Sequence, residues 1–185
     1  MIANEPDRVV GEMNSALEPD LMNIDDPALQ LHFTALFERL PTGGIARAFP
    51  DEAACEARVR EVVWPKGPIC PKCATFDVRP LQTGAKLHCP SCRLQFSLKS
   101  RTIFRRSRLS LRWWFLAAEA FLRAHARNRA SILLTEERFG IDLNVARMTS
   151  RKALAVLRKD LALEEGSDFA ALLCTPVLSK TEDDA

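Results

Sequence analysis

No uninterrupted apolar run in this 185-residue chain approaches the ~20 residues that span a bilayer. The amino terminus, Met1-Ile-Ala-Asn-Glu-Pro-Asp7, lacks both the basic and the apolar segment of a secretory signal. Together these absences predict a cytoplasmic protein with no membrane partner, in a compartment that keeps thiols reduced. Also missing is a βαβ pattern around the cysteine pairs, which removes the usual setting of a C-x-x-C redox centre.

What is present is charge, strongly segregated. Residues 1–63 hold 5 Lys and Arg against 12 Asp and Glu; residues 64–163 hold 20 against 6; residues 164–185 hold 1 against 6. A net charge of +2 therefore conceals a polycationic middle between acidic ends. Such confinement suits a polyanionic partner, with the acidic flanks shielding that surface or aiding solubility. A merely solvated charged face is the competing reading.

Four of the six cysteines form two pairs, Cys70-Pro-Lys-Cys73 and Cys89-Pro-Ser-Cys92, with fifteen residues between them. Two residues between thiolates let one tight turn present both sulfurs, and the interval suits a hairpin, so the spacing reads as a ribbon around one structural zinc ion. Four thiolates leave the metal no open position for water, so it would hold the fold and do no chemistry. Two disulfides are the alternative, disfavoured by the lack of secretory context. His88 is read as a strand residue rather than a ligand, and Cys55 and Cys174 as ordinary buried or free thiols.

The chain divides into five expected segments: a poorly ordered acidic leader, 1–27; a helical preface, 28–63; the ribbon, 64–104; a three-helix module, 105–163; and an acidic tail, 164–185. In the preface, Leu29, Phe33, Leu36, Phe37 and Leu40 recur at helical spacing until Pro41-Thr-Gly-Gly44, and a second helix follows with Asp51 as N-cap. Short strands are expected at Val78–Gln82, Lys86–His88 and Gln95–Leu98, with a turn at Thr83-Gly84. So small a sheet has no core of its own, which is why it needs a metal staple.

Beyond the ribbon, Arg101, Arg105, Arg106, Arg108 and Arg112 place five arginines within twelve residues. Ser110 is the expected cap of a helix with Leu111, Trp114, Phe115, Ala118, Phe121 and Leu122 on one stripe. A second helix is expected over Ala130–Arg138, then a turn at Phe139-Gly140-Ile141 into a third helix capped by Asp142, which together read as a helix-turn-helix. On that third helix Asn144, Arg147, Arg151 and Arg158 fall within about 60° of one another, with Lys152 and Lys159 alongside. Arg and Asn are the side chains that read guanine and adenine edges bidentately, so this face is the candidate for entering the major groove. The expected fold is α+β: a small four-cysteine zinc ribbon followed by the three-helix module, with a helical preface.

The order Phe49-Pro-Asp-Glu-Ala-Ala-Cys55, Trp64-Pro-Lys-Gly67, the two cysteine pairs, Gln95-Phe-Ser97, Thr102-Ile-Phe104 and Leu111-Arg-Trp-Trp-Phe115 resembles the amino-terminal zinc-ribbon and helix-turn-helix region of bacterial insertion-sequence transposases, over roughly residues 45–162. The resemblance implies binding of double-stranded DNA at terminal repeats, with cutting and joining done by a later ribonuclease-H-like domain. Here the acids of residues 64–163 are Asp77, Glu119, Glu136, Glu137, Asp142 and Asp160, mostly on expected helices. Two-metal phosphoryl transfer needs carboxylates converging from several strands. The sequence therefore predicts a DNA-binding protein that is not an enzyme and takes no small-molecule substrate, a regulator or accessory associated with the nucleoid. Two rival readings are a zinc-ribbon adaptor of transcription machinery and a DNA-binding subunit serving a separate catalytic chain. Whether it pairs as a homodimer is left open by the sequence.

Overall fold

A computed structural model describes residues 26–81 and 86–174. The leader as far as residue 25, the turn at Thr83-Gly84 and the tail from residue 175 lie outside the described residues. Asp26 accepts the Ala28 N–H at 2.9 Å and Pro27 occupies the first turn, where it has no N–H to orphan; α1 accordingly runs Pro27–Glu38. Gly43 and Gly44, at φ 90° and 83°, turn the chain into the short α2, Ile45–Ala48. Asp51 caps α3, Glu52–Val63, by accepting the Ala54 N–H at 2.8 Å.

The ribbon leaves from the end of α3 and returns beside it. Its strands β1 (Arg79–Pro80), β2 (Leu87–His88) and β3 (Gln95–Phe96) form an antiparallel sheet in that order, with Arg79 opposite His88 and Leu87 opposite Phe96. A 3-10 turn, Leu98–Arg101, packs back on α3. Trp64, Cys70, Cys89 and Phe96 make a small core separate from the main one, the Trp64 and Phe96 rings meeting edge to face at 6.2 Å.

The main core surrounds α4, Leu111–Ala126, which Ser110 caps through the Trp113 N–H at 3.0 Å. Leu111, Trp114, Phe115, Ala118, Phe121 and Leu122 are all buried, against α1 through Phe33 and against α2 through Ile45. Burying each large side chain contributes about 1.5–3 kcal/mol, so this one stripe organises the helical body.

The structure corrects the expected helix-turn-helix boundaries. Ala130–Arg138 is not one helix: α5 covers Ala130–Leu133 and α6 covers Glu136–Asp142. Thr135 breaks them apart, because its hydroxyl accepts the Arg138 N–H and starts a new helix whose first turn carries Glu136 and Glu137. Phe139-Gly140-Ile141 lies inside α6 rather than in a turn, and Asp142 ends that helix, paired with Arg138, instead of capping the next. The turn comes later: Asn144 sits at φ 52° and the Val145 N–H returns to the Gly140 carbonyl at 2.9 Å. Helix α7, Arg147–Leu161, then begins with no side-chain cap.

A second correction concerns the acidic tail. Its first part folds as α8, Asp168–Leu173, with Phe169, Leu172 and Leu173 buried in the main core. Local charge concealed an amphipathic turn: Asp160 accepts from the Ser167 hydroxyl and from the N–H groups of Asp168 and Phe169, while Arg58 donates to the carbonyls of Ala171 and Leu172 at the other end. Among the described residues, no helix is long and apolar enough to cross a membrane.

Candidate metal centre and nucleic-acid interface

Two copies of one backbone turn bring the four cysteines together. In the first, the Cys70 N–H reaches the Thr75 carbonyl and the Ala74 N–H reaches the Cys70 carbonyl, both at 2.9 Å. In the second, Cys89 N–H to Leu94 carbonyl and Arg93 N–H to Cys89 carbonyl repeat the pattern at 2.9 and 2.8 Å. Each turn needs a left-handed residue just after its second cysteine, and Ala74 and Arg93 take φ 56° and 60° there.

All four Sγ atoms lie within 4.8 Å of one another, with Cys70 to Cys92 and Cys73 to Cys89 each at 3.5 Å. A tetrahedron of ~2.3 Å Zn–S bonds has edges of about 3.8 Å, so the donor set fits a single zinc ion. Electrostatics lead to the same ion. Burial raises the Cys70 thiol, but the N–H groups of Cys73 and Lys72 and the neighbouring thiols outweigh it and bring it down to about 6. At Cys73 the Thr75 N–H favours the thiolate, yet burial and the other three thiols push it up to about 12. Thiols this close cannot all ionise unaided; zinc, when bound, supplies the charge that holds four thiolates together and so stabilises the ribbon. His88 lies on β2 and is not part of the cluster; Cys55 and Cys174 are buried elsewhere, the first raised by burial to about 11.

The arginines expected to meet phosphates occupy the link from ribbon to α4. Arg101 closes the 3-10 turn, and Arg105, Arg106 and Arg108 are exposed on the loop that follows. The loop is pinned from inside: Phe104 is buried, and the Ser107 hydroxyl accepts from Trp114 Nε1 at 3.0 Å and the Leu109 N–H at 3.1 Å. Arg106 pays for its place with φ 63°, an uncommon conformation for a non-glycine residue. Arg112 is half-buried in the first turn of α4, its Nε donating to the Pro50 carbonyl at 3.0 Å.

On α7 the outward row is Arg147, Met148, Arg151, Lys152, Ala155 and Lys159, all exposed. Two of the four residues expected to share a face leave it. Asn144 precedes the helix, in the turn; Arg151 stays outward beside Arg147; Arg158 turns inward, its Nη2 facing the Leu134 carbonyl at 3.5 Å. Burial lowers Arg158, against the nearby Glu136 that raises it.

Three anchoring acids escaped the sequence reading because their partners lie beyond the helix or turn that carries each acid. Glu52 accepts the N–H groups of Leu111 and Arg112 at 2.8 and 2.9 Å, satisfying the start of α4 from the start of α3. Asp160 caps α8 as described above. Glu136 joins Arg147 and Arg151, one carboxylate oxygen to each, at 3.3 and 3.4 Å. Only the placement of Glu136 in the first turn of a helix was a local signal.

Residues 50–95 match the transposase zinc-ribbon domain, a span that takes in α3, both cysteine turns and the start of β3. No curated protein and no solved structure matches the chain.

Proposed function

We propose that the chain is a zinc-dependent, non-catalytic protein that binds duplex DNA through the α6–turn–α7 unit and the arginine loop after the ribbon. The observation that carries this reading is the outward face of α7, where Arg147, Arg151, Lys152 and Lys159 are exposed and the helix's own acid, Asp160, is buried against α8. Long cationic arms on a helix that follows a tight turn suit the major groove. Arg101, Arg105, Arg106, Arg108 and Arg112 would engage phosphates, which set register and supply affinity without reading sequence.

A non-catalytic role is supported by where the acids go. Asp77 pairs with Arg79 ahead of β1, Glu119 with Arg123 on α4, Asp142 with Arg138 on α6, where Glu136 holds Arg147 and Arg151, and Asp160 accepts the first N–H groups of α8. Among the described residues the four cysteines are the one group of potential ligands close enough to share an ion.

The rival reading, docking of the ribbon on a protein partner, draws on Phe76, an exposed aromatic just past the first cysteine turn. Gel-shift titration of the zinc-loaded chain against random duplex at two salt concentrations separates the two. Retardation that weakens steeply with salt supports DNA binding, at a slope of about 0.9 per phosphate contact; negligible, salt-insensitive retardation refutes it.

A further inference from the structure

Arg147 and Arg151 stand one helical turn apart on the exposed side of α7, with 75% and 67% of their side chains accessible. Free arginines in that position would sample many rotamers and would settle on whichever phosphate came near. Here Glu136, from the first turn of α6, gives Oε2 to Arg147 and Oε1 to Arg151. Both contacts are made by Nε, the inner edge of the guanidinium. The Nη groups, the outer fork, have no protein acceptor among the described residues.

We infer that Glu136 is a specificity-determining residue: one carboxylate holds two guanidinium forks side by side so that they read a pair of guanines in the major groove. This rests on the DNA-binding reading above. An Nη fork matches the O6 and N7 acceptors of guanine, and two forks one turn apart reach base pairs that are close neighbours in a duplex. The same carboxylate repels the phosphate backbone, so it penalises the alternative in which the arginines collapse onto phosphates. Glu136 thus lowers affinity for arbitrary sequence while raising discrimination, a combination that a residue needed only for folding would not produce.

The test uses the zinc-loaded full chain as wild type, Glu136→Gln and Glu137→Gln. The second variant removes the same charge from the adjacent, exposed residue, which holds neither arginine. Duplexes selected by the wild type from a random pool should carry two nearby guanines, and replacing either by 7-deazaguanine, which lacks N7, should weaken binding about tenfold. E136Q should bind random duplex a few-fold more tightly and lose about tenfold in its preference for the selected duplex; E137Q should keep that preference. Equal loss of preference in both variants, or none in E136Q, overturns the inference. A selected site without guanines overturns it while leaving DNA binding intact, and a wild type that retains no duplex at all removes the DNA-binding reading itself.

Discussion

Asp168 Oδ2 accepts the backbone N–H of Ile103 at 3.0 Å, so the first residue of α8 holds the loop that carries the arginines of the ribbon-to-α4 link. Two segments 65 residues apart are tied at a half-buried site where water competes weakly for the donor.

Asp168→Ala should cost about 1–2 kcal/mol, since it leaves the Ile103 N–H without its acceptor, whereas Asp168→Asn keeps a carbonyl oxygen there and should cost less. Burial raises the Asp168 carboxyl against the Ile103 N–H that lowers it, with Asp160 adding to the rise. A carboxyl raised in the folded state makes the fold less stable as pH climbs through its titration. Wild type should therefore lose stability relative to Asp168→Asn as pH rises from the ordinary carboxylate range, as read from urea midpoints at several pH values.

His125 shows the opposite slope. Burial, aided by Arg158, lowers it to about 4, and its Nδ1 meets Gln30 Oε1 at 3.1 Å between the rings of Phe33 and Phe121. The unfolded chain takes up this proton near 6.5 and the folded chain does not, so stability should fall as pH drops from about 6.5 towards 4, by an amount of order 2–3 kcal/mol. His125→Gln should flatten that limb of the pH profile relative to wild type in equilibrium denaturation.

Gly140→Ala sets two effects against each other. Helix propensity favours alanine by about 1 kcal/mol, but the added Cβ would lie 2.9 Å from the Val145 carbonyl oxygen and 3.5 Å from Ser150 Cβ. Backbone in the turn cannot yield as a side-chain tip can, so the clash should win and the variant should melt several degrees lower. An unchanged or raised Tm would show that α6 and α7 are not held so tightly.

Zinc should be present at one ion per chain by elemental analysis, and a chelator should melt the ribbon first. Because Trp64 and Phe96 belong to the ribbon's own small core, chelation should change near-ultraviolet dichroism and tryptophan emission while most helical ellipticity survives. Acidification should release the metal too, since protons compete for the thiolates. Cys89→Ser should mimic the chelated state.

Legibility followed the range of the forces. Caps that act within three residues, Asp51 and Ser110, were readable in the chain, as were the cysteine turns and the buried stripe of α4. Apolar-glycine-apolar at 139–141 misled because glycine permits two things, a turn and a close helix approach, and only the tertiary neighbour Val145 decides which. The α8 helix was hidden by the acids around it, and the groups that bond to it, the Arg58 guanidinium, the Ile103 N–H and the Asp160 carboxylate, come from outside its own segment. The inward turn of Arg158 likewise needed α5, since helical angle alone sets it beside Arg147.

Val63, at the ribbon's departure, and Leu98, at its return, each pack against both cores, and the returning turn rests on α3. The metal-bearing excursion is thus packed against the helical body at both feet. A duplex gripped by both the arginine loop and α7 would meet them at one fixed separation. Half a helical turn of extra base pairs between the two contacts would put one of them on the wrong side of the double helix.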